Sequence, residues 1–242
     1  MPPRASCLPI TNRQWHVRRS ELFLLCVRVL ILLAALPMAS TASSGDFATS
    51  GPLRSVAMTD LERLLPGAKL MTTPAAIEGF LAALDGKPPD WNAVYGRGHH
   101  DPGHDDRLFA LNRERDGKRA GNPALSTQIA FVWAGVLSSY DPVGAGFPVA
   151  LGPKFINTAW GIVRFKPEEA PGNLRVVADA AQQIQLERLF AEGRPLEIDV
   201  VMRGRLIPEE SIVYDFSHDE EGVGLIMPFV RVEQVDFFLV TP

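Results

Sequence analysis

The residues best suited to chemistry form one histidine-rich stretch between Gly96 and Arg107. It contains three histidines and three aspartates: His99, His100, Asp101, His104, Asp105 and Asp106. Imidazole nitrogens and carboxylate oxygens are the donors with which proteins bind Zn²⁺ and other first-row divalent ions. Glycine and proline in the same stretch favour a loop, which could bring separate donors onto one centre. The predicted divalent-metal ligands are His99, His100, His104 and Asp106.

This stretch lacks a motif that fixes the geometry of its donors. It does not contain HExxH, in which helical spacing places two histidines on one face of a helix. The alternative interpretation is therefore a solvated polar loop without a metal ion. If a metal is bound, a coordinated water would become a nucleophile. The chain would then be a metal-dependent hydrolase that acts through the loop from His99 to Asp106.

The other polar groups of the sequence are weaker candidates for chemistry. One acidic group near the C-terminal end consists of Glu209, Glu210, Asp215, Asp219, Glu220 and Glu221, with His218 among them. Its spacing fits no calcium-binding loop, and acids at hairpin tips commonly discourage pairing between sheet edges. The sequence also contains no GxSxG elbow, no P-loop and no GxGxxG that opens a helix. No catalytic residue is predicted.

The N-terminal segment has the order of a secretory signal peptide. Arginines precede an apolar run at residues 22–39, and small residues follow it. This order predicts a signal peptide over residues 1–42, with cleavage after Ala42. The alternative is a retained membrane anchor, in which Arg28 would cost a few kcal/mol. A chain that started near residue 27 would still carry a compact signal peptide.

Removal of residues 1–42 would leave a mature chain with a different charge and no cysteine. The segment holds both cysteines, Cys7 and Cys26, and five arginines against one glutamate, so the formal net charge would change from −4 to −8. Such a chain forms no disulfide, and its acidity disfavours nucleic acid and anionic membranes as partners. We expect a periplasmic or secreted protein that meets the membrane only through an uncleaved signal segment. Its expected partner is an envelope protein or a small ligand.

Composition divides the remaining sequence into three parts. Residues 43–58 are small and polar, which predicts a linker. Residues 59–125 predict short helices and then an irregular segment, residues 96–122, that is rich in glycine and charge and holds one short helical candidate around Leu108–Arg113. Residues 126–242 predict a β-rich core that forms one domain with the helical part.

Two helices have clear start and stop signals. Thr73 predicts an N-cap, because it precedes Pro74 and an apolar stripe of helical period that ends before Gly86. Asp179, followed three residues later by Gln182, predicts the capping box of a second helix.

The strand signals are strongest from Pro195 to Val240. Between Leu196 and Leu206 apolar residues recur at nearly every second position, as in a strand with one buried face. The continuous apolar run Ile129–Leu137 predicts a strand buried on both faces, which we expect to pair with it. A change of parity near Gln234 predicts a β-bulge. Pro228 cannot donate to a ladder and predicts a sheet edge or a strand start.

Strands that are grouped together, instead of alternating with helices, favour an α+β fold. We predict N-terminal helices followed by a mainly antiparallel β-sheet with one intervening helix. The alternative is a small OB-like β-barrel. The expected function is that of an exported cell-envelope protein, a non-enzymatic binding or interaction module. The alternatives are the metal-dependent hydrolase and an envelope assembly factor that adds a partner strand at the Pro228 edge.

Overall fold

The computed structural model describes residues 49–57, 60–98, 101–217 and 222–241. The helices in this part of the chain are α1 (Leu61–Leu64), α2 (Pro74–Asp85), α3 (Trp91–Tyr95), α4 (His104–Arg119) and α5 (Ala180–Ala191). The strands are β1 (Ser50–Ala57), β2 (Lys69–Leu70), β3 (Ile129–Leu137), β4 (Phe147–Gly152), β5 (Ile156–Thr158), β6 (Gly161–Val163), β7 (Lys166–Pro167), β8 (Arg175–Val177), β9 (Glu197–Leu206), β10 (Ile212–Phe216) and β11 (Gly224–Thr241). The predicted α+β class is confirmed.

Six of the strands pair in a closed ring. Antiparallel ladders join β11 to β9, β9 to β3, β3 to β4 and β4 to β8. β1 closes the ring, because its first residues pair in parallel with β8 and its last residues pair in parallel with β11. The longest ladders are antiparallel, as predicted. The ring has six strands, whereas the OB-type barrel of the alternative prediction has five.

β1 lies where the sequence predicts a linker. Residues 50–52 pair with β8 and residues 53–57 pair with β11, so the linker prediction for residues 43–58 is wrong over this strand. The strand carries little apolar periodicity, and among residues 50–56, whose burial is described, Leu53 is the buried one. β1 forms because it pairs with the edges of β8 and β11. Such pairing with distant segments cannot be predicted from local composition.

The helices are not all N-terminal to the sheet. β1 precedes α1, β2 lies between α1 and α2, and α5 lies between β8 and β9. The predicted order, with all but one of the helices before the sheet, is therefore not the order of the structure. A two-residue strand such as β2 is too short to produce an alternating pattern in the sequence.

The predicted helix signals for α2 and α5 are confirmed. The Thr73 side chain accepts a hydrogen bond from the backbone N–H of Ala76, and Gly86 ends α2 with a φ of 76°. The capping box of α5 is present in full between Asp179 and Gln182. The apolar stripe of α2 packs into the main core through Ile77, Phe80, Leu81 and Leu84.

α4 occupies most of the segment predicted to be irregular, residues 96–122. It has 16 residues, and its buried residues are Arg115 and Arg119. Leu108 and Leu111 lie on the same helical face and pack against the main core, so the inward face has helical period but carries two arginines. The helical candidate around Leu108–Arg113 lies within α4, but the prediction of an irregular segment on either side of it is wrong, because charge on the buried face concealed the amphipathic pattern.

The structure shows the outcome of three predictions about the C-terminal strands. Its register shifts between Val232 and Gln234, which confirms the predicted bulge. β9 pairs with β3 from Glu197 to Gly204, which confirms the predicted partnership. Pro228 does not mark a free edge: it pairs with Ile212 of β10, while β6 and β7 pair with neighbouring residues of β11 on its other side.

Candidate binding site

The structure describes only part of the predicted metal loop. His99 and His100 lie outside the described residues, so their role remains a prediction. His104 begins α4, and its Nδ1 lies 2.7 Å from the carbonyl oxygen of Asp101. A carbonyl oxygen only accepts hydrogen bonds, so Nδ1 donates here. The ring packs against Phe216, with 5.0 Å between the ring centroids.

Asp106, the fourth predicted ligand, is exposed on the first turn of α4. Its neighbour Asp105 is also exposed, and one carboxylate oxygen of Asp105 lies 3.3 Å from Nε2 of His104. Acidic residues at this position favour the helix through its macrodipole. In the part of the chain that the structure describes, no three His, Cys, Asp or Glu side chains are grouped as metal ligands. The metal site therefore remains a prediction.

Asp101 holds the turn that precedes α4. Its carboxylate accepts hydrogen bonds from the backbone N–H groups of Gly103 at 3.0 Å and Arg97 at 3.1 Å. It also forms an ion pair with Arg107 at 3.0 Å. These three contacts stabilise the charged form and lower the pKa of Asp101 to about 2. The carboxylate thus has a structural partner for each oxygen and organises the turn.

A charged cluster lies between α2, α4 and β10 and consists of Asp85, Arg115, Arg119 and Tyr214. The Asp85 side chain is 0% exposed and the Arg119 side chain 1% exposed, and Arg119 Nε donates to Asp85 at 2.6 Å. Arg115 lies 3.4 Å from the same carboxylate. The hydroxyl group of Tyr214 donates to Asp85 and accepts a hydrogen bond from Arg115. One buried carboxylate therefore joins two helices to the sheet.

Burial is the main reason that the pKa of Tyr214 is raised well above its ordinary value, and the nearby charge of Asp85 adds to this effect. The tyrosine therefore remains a neutral donor. Arg119 also donates to Asp116, to the Ser211 hydroxyl group and to the carbonyl oxygen of Ile212. The charged cluster is thus a nearly complete hydrogen-bond network.

A cavity of about 380 Å³ lies beside the charged cluster. Three basic and three acidic side chains line it: Lys87, Arg115, Lys118, Asp85, Asp90 and Glu114. The charges of the lining balance, and Lys118 and Glu114 form an ion pair with each other. This cavity therefore offers a ligand no preference for either sign of charge.

A second cavity opens where the ladder of β3 is interrupted. On one side, β9 pairs with β3 throughout, from Ile129 to Val136. On the other side, β2 pairs only with residues 129–130 and β4 only with residues 134–137. Residues 131–133 thus have no strand neighbour on this side among the described residues. The gap is a break inside the sheet, between two short partners.

Val132 directs its backbone polar groups into this gap. The backbone N–H of Met71 donates to the carbonyl oxygen of Ala130 at 2.7 Å, so Ala130 points its polar groups toward β2. Successive residues of a strand alternate in this direction, so Val132 points the same way as Ala130. A ligand in the gap could therefore pair with the N–H and C=O of Val132.

The sheet pocket is the cavity of about 230 Å³ at this gap, lined by Met71, Thr72, Val132, Lys154, Phe155, Ile156 and Asp199. Most of these side chains are apolar. Lys154 enters from the segment after β4, and its Nζ lies 2.5 Å from a carboxylate oxygen of Asp199. Asp199 is positioned by β9, directly across from Ala134 of β3. The pocket thus combines apolar walls with one ion pair.

Phe155 and Arg164 flank the sheet pocket as cross-strand neighbours. Ile156 pairs with Val163 in the hairpin of β5 and β6, and Phe155 and Arg164 occupy the next positions. The Phe155 side chain is an exposed apolar group at 52%, and the guanidinium carbon of Arg164 lies 5.7 Å from its ring centroid. Arg164 Nε is buried and has no hydrogen-bond partner in the described part of the chain.

Sequence reasoning selected none of the residues of the sheet pocket. The sequence predicts Val132 only as part of a buried strand. Lys154, Phe155 and Arg164 lie in segments without a motif. The one local signal is that Phe155, a large apolar residue, lies between Lys154 and Ile156, in a stretch for which the sequence predicts no helix or strand. The gap itself depends on where β2 and β4 end against β3, which is a property of pairing between distant segments.

In the residues that the structure describes, no helix has the length and hydropathy that a membrane span requires. Comparison with protein-family models, with curated proteins and with solved structures gives no significant match for this chain.

Proposed function

We propose that the protein is an exported, non-enzymatic binding protein of the cell envelope that takes a small, largely apolar ligand in the sheet pocket. Ligand sites in proteins are concave, mainly apolar and supplied with a few convergent polar groups. The observation that carries the proposal is the interruption of the β3 ladder at residues 131–133. The gap is concave, its walls are mainly apolar, and polar groups of Val132, Lys154 and Asp199 meet there.

The composition of the lining favours binding over catalysis. Lys154 and Asp199 neutralise each other at 2.5 Å, and the described residues that line the cavity include no histidine, cysteine or serine. Nucleophilic catalysis needs a nucleophile that a base activates. In this lining Lys154 is held in the ion pair with Asp199, and Thr72 forms no hydrogen bond with a base among the described residues. The location in the envelope rests on the order of basic, apolar and small residues in residues 1–42, which lie outside the described residues.

The volume of the sheet pocket sets the size of the ligand. An enclosed apolar cavity of about 150 Å³ is large enough to hold benzene. The sheet pocket, at about 230 Å³, therefore has room for one aromatic ring or a short branched chain with a polar group attached. The Phe155 ring would cover such a ligand from the solvent side.

The proposal is tested by titrating the full chain with benzyl alcohol and following backbone amide resonances. We expect saturable shifts that centre on Val132 and Ile156. Phe155→Ala removes a wall of the pocket and should weaken binding by about fivefold, because an aromatic contact contributes about 1 kcal/mol. The half-exposed Phe155 side chain makes this variant compatible with a normal fold.

Phe109→Ala is the matched control. Phe109 is exposed on α4, and the Arg113 guanidinium carbon lies 5.6 Å from its ring centroid, close to the 5.7 Å of the Phe155 pair. This variant should bind benzyl alcohol as the wild type does. Shifts scattered over the surface, or equal effects of the two substitutions, would contradict the proposal.

A further inference from the structure

The sheet pocket and its immediate neighbour carry one surplus positive charge. Lys154 and Asp199 cancel within their ion pair. Arg164 forms no salt bridge with a carboxylate of the described residues, and its Nε is buried without a partner. A buried guanidinium N–H that lacks an acceptor destabilises the fold. The terminal nitrogens of Arg164, which are not among the buried atoms, form no hydrogen bond with the described residues either, so they are the groups that an anion could bind.

Phe155 links this surplus charge to the cavity. Its ring lines the sheet pocket and also lies against the Arg164 guanidinium. A distance of 5.7 Å from the guanidinium carbon to the ring centroid is within cation–π range, and the planar guanidinium matches an acceptor with two oxygens. An anionic group at the edge of Phe155 could therefore bind Arg164 while the body of the ligand stays within the apolar walls.

We infer that the ligand of the sheet pocket is a small monocarboxylate, whose carboxylate binds Arg164 and whose apolar body fills the cavity beside Val132. This inference rests on the proposed function, since it names the chemical class of ligand for the same pocket. A single negative charge matches the single surplus positive charge, whereas a phosphate carries about −1.5 to −2 at pH 7. The main-chain groups of Val132 remain available to a second polar group of the ligand.

Phenylacetate and phenylacetamide test this inference, because they have the same shape and differ in charge. We expect calorimetry on the full chain to show that phenylacetate binds at least about tenfold more tightly, since a hydrogen bond to a charged group is worth about 1.5–3 kcal/mol. Arg164→Gln should remove this preference and change phenylacetamide binding by less than about twofold.

Arg113→Gln is the control for net charge, because Arg113 is also placed beside an exposed phenylalanine, Phe109. It should leave the preference for phenylacetate unchanged. Equal binding of the two probes, or tighter binding of benzylamine through Asp199, overturns the inference. If the neutral probes still bind beside Val132 in that case, the proposed function stands; if no probe binds there, both fail.

Discussion

Replacement of Asp85 by asparagine should destabilise the protein more than any other single change in the charged cluster. The carboxylate is fully buried and has three partners: Arg119 at 2.6 Å, Arg115 at 3.4 Å and the hydroxyl group of Tyr214. Asparagine keeps the size of the side chain and removes its negative charge. Two guanidinium groups would then remain buried, and among the described residues Arg119 would keep one ion pair, with Asp116, whose side chain is 48% exposed.

The size of the effect follows from burial. Removal of one partner from a buried ion pair costs about 3–5 kcal/mol, because the other charge is left without compensation in a region of low dielectric. A domain of this size has a urea m-value of about 2–3 kcal/mol/M. The midpoint of urea unfolding should therefore fall by about 1–2 M in Asp85→Asn, a large part of a total stability of about 5–15 kcal/mol.

Equilibrium urea unfolding at pH 7, followed by tryptophan fluorescence, measures this change. Tyr214→Phe removes one hydrogen bond from the same carboxylate and should cost about 1–2 kcal/mol. Asp116→Asn is the matched control, since its carboxylate also bonds to Arg119 but is half exposed, and it should cost less than about 1 kcal/mol. An Asp85→Asn midpoint equal to that of Asp116→Asn would refute the claim that the buried carboxylate holds α4 to the sheet.

Two further outcomes follow from single residues. The lowered pKa of Asp101, about 2 against the model-peptide value of 3.8, means that its ion pair and hydrogen bonds stabilise the fold above pH 4 and are lost as the pH falls through 2. Thermal midpoints of wild type and Asp101→Asn should thus differ at neutral pH and converge near pH 2; a gap that persists there would contradict the assignment. A methyl group at Gly224 would meet the Trp91 ring, so Gly224→Ala should lower stability by about 1–3 kcal/mol and shift tryptophan emission, and an unchanged spectrum would argue against this packing.

Much of the local structure was predictable from sequence because its causes are local. The cap of α2 at Thr73, the capping box of α5 and the bulge beside Gln234 each depend on residues within a few positions of one another. Their side chains satisfy backbone groups or shift a register without help from distant segments. The pairing of β9 with β3 was also predictable, because both segments carry strong strand patterns.

The errors share one physical origin, which is pairing or burial set by distant partners. β1 has no strong pattern and forms because β8 and β11 flank it. α4 presents Arg115 and Arg119 inward, which is tolerable only because Asp85, 30 or more positions away in the chain, lies opposite them. A sequence pattern assigns arginine to the surface unless its buried partner is known.

Local sequence patterns are enough to predict the α+β class, the capped helices, the main antiparallel strands and the histidine-rich stretch from Gly96 to Arg107 as the densest group of reactive side chains. Tertiary structure alone decided the closed ring, the buried charged cluster and the sheet pocket. The pocket exists because β2 and β4 both stop short on the same side of β3, which leaves Val132 beside Lys154 and Phe155. Where two strands end against a third is determined by packing of the whole domain, so no local pattern of residues encodes it.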